Sequence, residues 1–260
     1  MNMAKRESIF FVGWLNSIPR PLALFLLCIA ILAIGGLSGI GFSLGSSVND
    51  PGDGNFAWKD GYQKASGILT AKPYPILRLR PDGMNPKART VMLTVPGKRS
   101  IEGKYAKLLG KPVNAGGFWF KRGSINMLQI QGKIALKAPV PVEGEEIIPF
   151  VPAPPVSLSR WRLVGEICDG KCYTGAMSPG DGLAHKACAN LCITSGAPPV
   201  FVSTGSVEGT EFFLMSDPDG GPLPDRFRDL TAVLVELEGE VERLDDLLIF
   251  KVDLAQAKVF

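Results

Sequence analysis

The chain has 260 residues with 30 glycines, 21 prolines, five cysteines, a single histidine and a formal net charge of +3. One histidine, no serine in a nucleophile-elbow context, no phosphate loop and no dinucleotide fingerprint exclude the common hydrolase and nucleotide-binding chemistries. The charge is unevenly spread: residues 64–137 carry 15 Lys/Arg against Asp82 and Glu102, whereas residues 138–260 carry nine against 19 Asp/Glu. This asymmetry predicts two domains, the first with a polar interaction surface.

Residues 1–21 form a short basic terminus with Lys5, Arg6 and Arg20. Residues 22–44 then contain no charge. About 20 apolar residues suffice to cross a bilayer, so this stretch is predicted to be a transmembrane helix. It is long for the apolar core of a cleaved signal peptide, and no convincing cleavage site follows it. Basic residues before it and Asp50, Asp53 and Asp60 after it predict a cytoplasmic N-terminus and a periplasmic body, in a bacterial inner membrane. Gly35 and Gly39, with Gly36 and Gly41, make a small-residue face on which another membrane subunit could pack. Residues 45–64 read as a polar, glycine-rich linker whose Trp58 and Tyr62 suit the headgroup zone.

Residues 65–137 predict short strands at Ser66–Ala71, Ile76–Arg80, Thr90–Val95, Pro112–Phe120 and Ile125–Leu136, with a short helix at Glu102–Leu109. Five strands and a small helix predict a basic OB-like β-barrel. Its candidate interaction residues are Trp119, Lys121 and Arg122, in a run where strand alternation separates Trp119 from Phe118 and Phe120. Anionic lipid, an acidic protein or the acidic second domain would suit this surface. Nucleic acid, the other habitual OB ligand, does not suit the predicted compartment. Residues 138–158 form a Pro/Glu-rich linker.

Residues 159–260 predict a second, acidic OB-like barrel, with strands at Trp161–Ile167, Pro199–Ser203, Glu211–Ser216, Val233–Glu242 and Leu247–Leu254. Gly67 and Gly165 sit early in each series, and Gly117 and Gly239 late, which suggests a tandem repeat. The acidic residues Glu236, Glu238, Glu240 and Glu242 alternate with Val235, Leu237, Gly239 and Val241. That pattern is a solvated strand face and not a catalytic carboxylate pair.

Between the first and second strands of this barrel lie Cys168, Cys172, His185, Cys188 and Cys192. The run Leu183–Thr194, stopped by Ser195-Gly196, predicts a helix that places His185, Cys188 and Cys192 on one stripe. Cys172 would fold back over it. Three readings stay open. Two disulfides joining the helix to Cys168 and Cys172 suit an oxidising compartment. A Cys₃His site of Cys172, His185, Cys188 and Cys192 suits zinc or copper, with Met177 as a further soft ligand. A reactive thiol beside His185 is the third. Haem attachment is excluded, because no CxxCH is present.

The pattern Gly165-Glu-Ile-x-Asp169-x-x-Cys172, His185-x-x-Cys188-Ala-x-x-Cys192 and Gly196-x-Pro resembles a group of bacterial exported or membrane-anchored OB-like β-barrel proteins, over about residues 160–260. In that group the position of Cys168 is usually an ordinary apolar residue. The resemblance therefore implies a shared set of three cysteines and a histidine, which disulfides cannot consume, and favours a metal or redox role. The expected function is a non-catalytic, membrane-anchored accessory or assembly subunit of a membrane complex, of respiratory or other redox type. The alternative is a stand-alone metal-handling (zinc or copper) or thiol-redox protein.

Overall fold

The computed structural model describes residues 18–47, 52–81, 83, 85–99, 101, 105–131, 136–139 and 150–260. It divides into two units, one on each side of Asp50–Pro51. The N-terminal unit holds α1, Arg20–Ser47, a 28-residue helix with no charged residue after Arg20. By length and composition it could cross a membrane. Its apolar side chains are exposed on all sides, Leu24 and Leu37 among them, as the lack of a polar face requires. A Cβ added at Gly35 or Gly39 would meet no atom within 4 Å.

In the second unit the first barrel comprises β1 (Asn55–Phe56), β2 (Gln63–Thr70), β3 (Ile76–Leu79), β4 (Arg89–Thr94), β5 (Pro112–Arg122), β6 (Ile125–Ile130) and β7 (Leu136–Lys137). Strands β2 to β6 close on themselves: β2 pairs with β3 and β5, β4 runs parallel to β6, and β5 pairs with β6. The second barrel comprises β8 (Val156–Asp169), α2 (Lys186–Thr194), β9 (Pro199–Val207), β10 (Thr210–Ser216), α3 (Phe227–Leu230), β11 (Leu234–Leu244), β12 (Leu247–Val252) and β13 (Lys258–Val259). It closes in the same order. β8 pairs with β9 and β11, β10 runs parallel to β12, and β11 pairs with β12. Both are five-stranded OB-like barrels, and α2 lies in an insertion between the first two strands of the second.

The repeated glycines have a steric cause. A Cβ on Gly117 would collide with the carbonyl of Gln129, and one on Gly239 with that of Lys251, each where the fourth strand closes on the fifth. The two barrels solve the same closure with the same residue.

The expected linkers contribute to the body. From residues 45–64, Asn55–Phe56 adds a strand to the edge of β5, and Trp58 stacks on Phe118 with centroids 4.5 Å apart. These apolar side chains cover a strand face that the barrel interior does not use. From residues 138–158, β8 already begins at Val156; residues 140–149 lie outside those described. Of the predicted helix Glu102–Leu109 the described part is a single 3-10 turn, Ala106–Leu108. The fifth predicted strand of the first barrel ends at Ile130, with residues 132–135 outside those described.

The barrels do not face each other only through charge. Tyr74, Ile76, Met92, Phe120 and Met127 of the first form one buried cluster with Cys168, Tyr173, Val200, Phe212, Leu214 and Ile249 of the second. Beside it, the Arg78 guanidinium donates two 2.7 Å hydrogen bonds to Asp245, and Thr90 N–H donates to Asp246 at 2.6 Å. The side chains of Arg78 and Asp245 are only 7% and 3% exposed. Removing one partner of such a pair leaves a buried charge without compensation. Asp245→Ala should therefore destabilise the body by about 3–5 kcal/mol, and pairing it with Arg78→Met should restore much of that loss. Thermal melts of the three chains check this, and equal melting temperatures for wild type and Asp245→Ala would contradict it.

Candidate metal centre

Strand β8 ends in Asp169, whose carboxylate is fully buried. Its Oδ1 accepts the backbone N–H of Cys172 at 2.8 Å and its Oδ2 lies 2.9 Å from His185 Nε2. One carboxylate thus holds both the turn that follows β8 and the histidine that precedes α2. The turn, Cys172–Ala176, is a wide helical turn that Thr174 ties down by donating its hydroxyl hydrogen bond to Gly170 O at 2.6 Å. Glu166, three residues before Asp169, accepts the N–H of Gly182 at 2.7 Å and so fixes the entrance to the His185 turn.

These constraints bring the donors together. One atom each of Cys172, His185 and Cys188 lies within 4.8 Å of the others, and the same holds for Asp169, Cys172 and Cys192. The four residues expected from spacing therefore meet as two overlapping triads that share Cys172. Because Nε2 of His185 is engaged by Asp169, Nδ1 is the nitrogen left to a metal. A carboxylate behind a ligating imidazole fixes its orientation and raises its basicity. Three thiols and one imidazole match the donor preferences of zinc and copper(I).

Cys168 stands apart. It lies in the cluster between the barrels, 1% exposed, and its thiol donates to Glu166 at 3.4 Å. Cys172, Cys188 and Cys192 share a different cluster with Ala197. All five cysteines are free thiols in the structure. Cys168 faces Glu166 and not the helix, because β alternation turns it to the opposite side of β8 from Asp169.

Two lysines that sequence spacing did not single out complete the site. Lys171, 7% exposed, donates from Nζ to Val95 O at 2.6 Å and Gly97 O at 3.0 Å. It grips the loop after β4 of the first barrel. That loop carries Lys98, whose ammonium lies 2.8 Å from Cys188 Sγ and 3.5 Å from Cys192 Sγ. No local motif marks a lysine some 90 residues upstream of the cysteines it meets. Asp169 had a signal, its place three residues before Cys172.

The interaction residues of the first barrel separate. Trp119 is half-buried against the barrel's own interior cluster, and Lys121 is exposed. Arg122 lies 4.1 Å above the Tyr173 ring and donates to Gly52 O at 3.0 Å, so it is committed to the seam. The exposed aromatics beside this barrel are Trp58 and Tyr62.

The electrostatics follow from these contacts. The bond from Asp169, outweighing burial, raises His185. Hydrogen bonding to Cys192, with burial behind it, holds Cys172 well above the ordinary thiol range. Cys192 receives that hydrogen bond, faces Lys98, and falls to about 6. Burial lowers Lys98, but the sulfurs of Cys188 and Cys192 together overcome it and raise the ammonium. Burial, then the charge of Glu166, drives Cys168 well up and makes it inert. No family model, no curated protein and no solved structure matches the chain.

These shifts favour the proton on Cys172 and the negative charge on Cys192. A metal bound by Cys172 must expel that proton, so affinity should rise with pH, about ten-fold per unit for each proton released between roughly pH 6 and 8. Competition titrations at several pH values check this, and a flat profile would contradict it. In native protein without metal, an alkylating reagent should modify Cys188 first and Cys168 last. Peptide mapping after timed quenching reads the order.

Proposed function

We propose that the protein is a membrane-anchored metal-handling protein, whose zinc or copper centre is built by Cys172, His185, Cys188 and Cys192 in the seam between two OB-like barrels. The observation that carries this is the Asp169–His185 contact at 2.9 Å beside the thiols of Cys172 and Cys188, with Cys192 joined to them through Cys172. A buried histidine that merely fills a core does not need a buried carboxylate on one nitrogen and thiols within ligand distance. The charge around α1 supports an N-terminus in the bacterial cytoplasm and a body in the periplasm.

A second reading, an accessory or assembly subunit of a membrane complex with this centre in a structural role, draws on the open small-residue face at Gly35 and Gly39. On either reading the metal is bound by the same residues.

Protein purified from membranes without chelator should carry about one zinc or copper ion per chain. Cys172→Ser, which removes the sulfur shared by both triads, and His185→Ala should each lose most of it, while Cys168→Ala should retain it. Elemental analysis of the four chains is the test. Metal retained equally in all of them, or absent from the wild type even after reconstitution, would refute the proposal.

A further inference from the structure

The donors of the centre form a gradient of exposure. His185, Cys172 and Cys192 are buried, Cys188 is half-buried, and Met177 is 48% exposed. The Sδ of Met177 lies 3.6 Å from Cys188 Sγ, so a soft thioether stands directly outside the outermost thiol. Met177 follows the Cys172–Ala176 turn in extended backbone, φ −150° and ψ 151°. It lines an open polar cleft of about 600 Å³ together with Arg122, Tyr173, Asp53 and Asp181. Met177 is the one sulfur-bearing residue in the lining of this cleft, so it is the sulfur a cation entering from there meets first.

A methionine so exposed gains little from burial, and a leucine would pack as well at that position. What leucine lacks is the sulfur. Thioethers bind copper(I) well, whereas zinc takes thiolate, imidazole and carboxylate. The Lys98 ammonium lies against Cys188 and Cys192 and repels a cation approaching from its side.

Resting on the proposed metal centre, the geometry points to copper(I) as its cargo and to Met177 as the outer ligand through which the ion is taken up and released. The transfer is a ligand exchange with no change in oxidation state. The bond from copper to Met177 Sδ breaks as one to Cys172 Sγ forms, Cys188 stays bound throughout, and the Cys172 thiol proton passes to water. Release runs the same steps backwards. A purely structural zinc site has no use for an exposed thioether at its mouth.

The test uses the full chain in detergent, without oxygen, with copper(I) supplied from a chromophoric copper(I) chelator and, separately, zinc from a zinc indicator. Met177→Leu keeps the side chain's bulk and, at an exposed position, should leave the fold intact, which its zinc binding reports. The expected result is copper(I) uptake slowed about ten-fold and affinity weakened by a similar factor, with zinc affinity unchanged. Identical copper(I) rates and affinities in wild type and variant would overturn the role of Met177 while leaving the centre standing. A wild type that binds zinc but not copper(I) would overturn the cargo. A wild type that binds neither would overturn the metal centre itself.

Discussion

The site depends on one buried carboxylate. Asp169 ends the first strand of the second barrel, where no water can reach it, and an unpaired charge there would be costly. It is stable because it is doubly engaged, by the N–H of Cys172 and by His185 Nε2. Those two bonds also set the chain path. They start the turn that presents Cys172, and they fix the imidazole from which α2 departs with Cys188 and Cys192. The energetic requirement to satisfy Asp169 and the placement of Cys172 beside His185 and Cys188 are met by the same contacts. Its removal would cost the site its geometry before it cost the barrel its fold.

The first barrel contributes to that site. Lys171 reaches out of the insertion to hold the loop at Val95 and Gly97, and the loop returns Lys98 to the sulfurs of Cys188 and Cys192. The arrangement requires the barrels to be held in one relation. The shared apolar cluster and the buried Arg78–Asp245 pair provide this. Two copies of one fold have thus diverged in role: the second carries the donors, and the first supplies a charged cover and one wall of the seam.

Much of this was legible in the residues. Apolar runs and turn punctuation located all ten barrel strands: some, such as Leu234–Leu244, declare a buried face by alternation, and others, such as Ile76–Leu79, read as short continuous buried runs. The helix at Leu183–Thr194 followed from its helix formers and its Ser195-Gly196 stop, and its spacing puts His185, Cys188 and Cys192 on one stripe. What stayed hidden is long-range. Lys98 meets cysteines 90 and 94 residues away, a closeness that no periodicity encodes. The apolar seam was not legible for a physical reason: the charge difference between the halves reflects exposed residues and says nothing of the apolar faces of Ile76, Met92 and Ile249. Phe56 and Trp58 lie in a stretch whose composition is that of a linker, and a two-residue strand carries no period to mark it.

The account stands or falls on whether sulfur and imidazole together hold a metal in this seam. The most direct measurement is X-ray absorption at the zinc and copper edges on protein isolated from membranes without reductant or chelator, alongside Cys172→Ser. The account predicts a first shell dominated by sulfur with one imidazole contribution, diminished in the variant. A shell of oxygen and nitrogen alone, or an unchanged shell in Cys172→Ser, would contradict it.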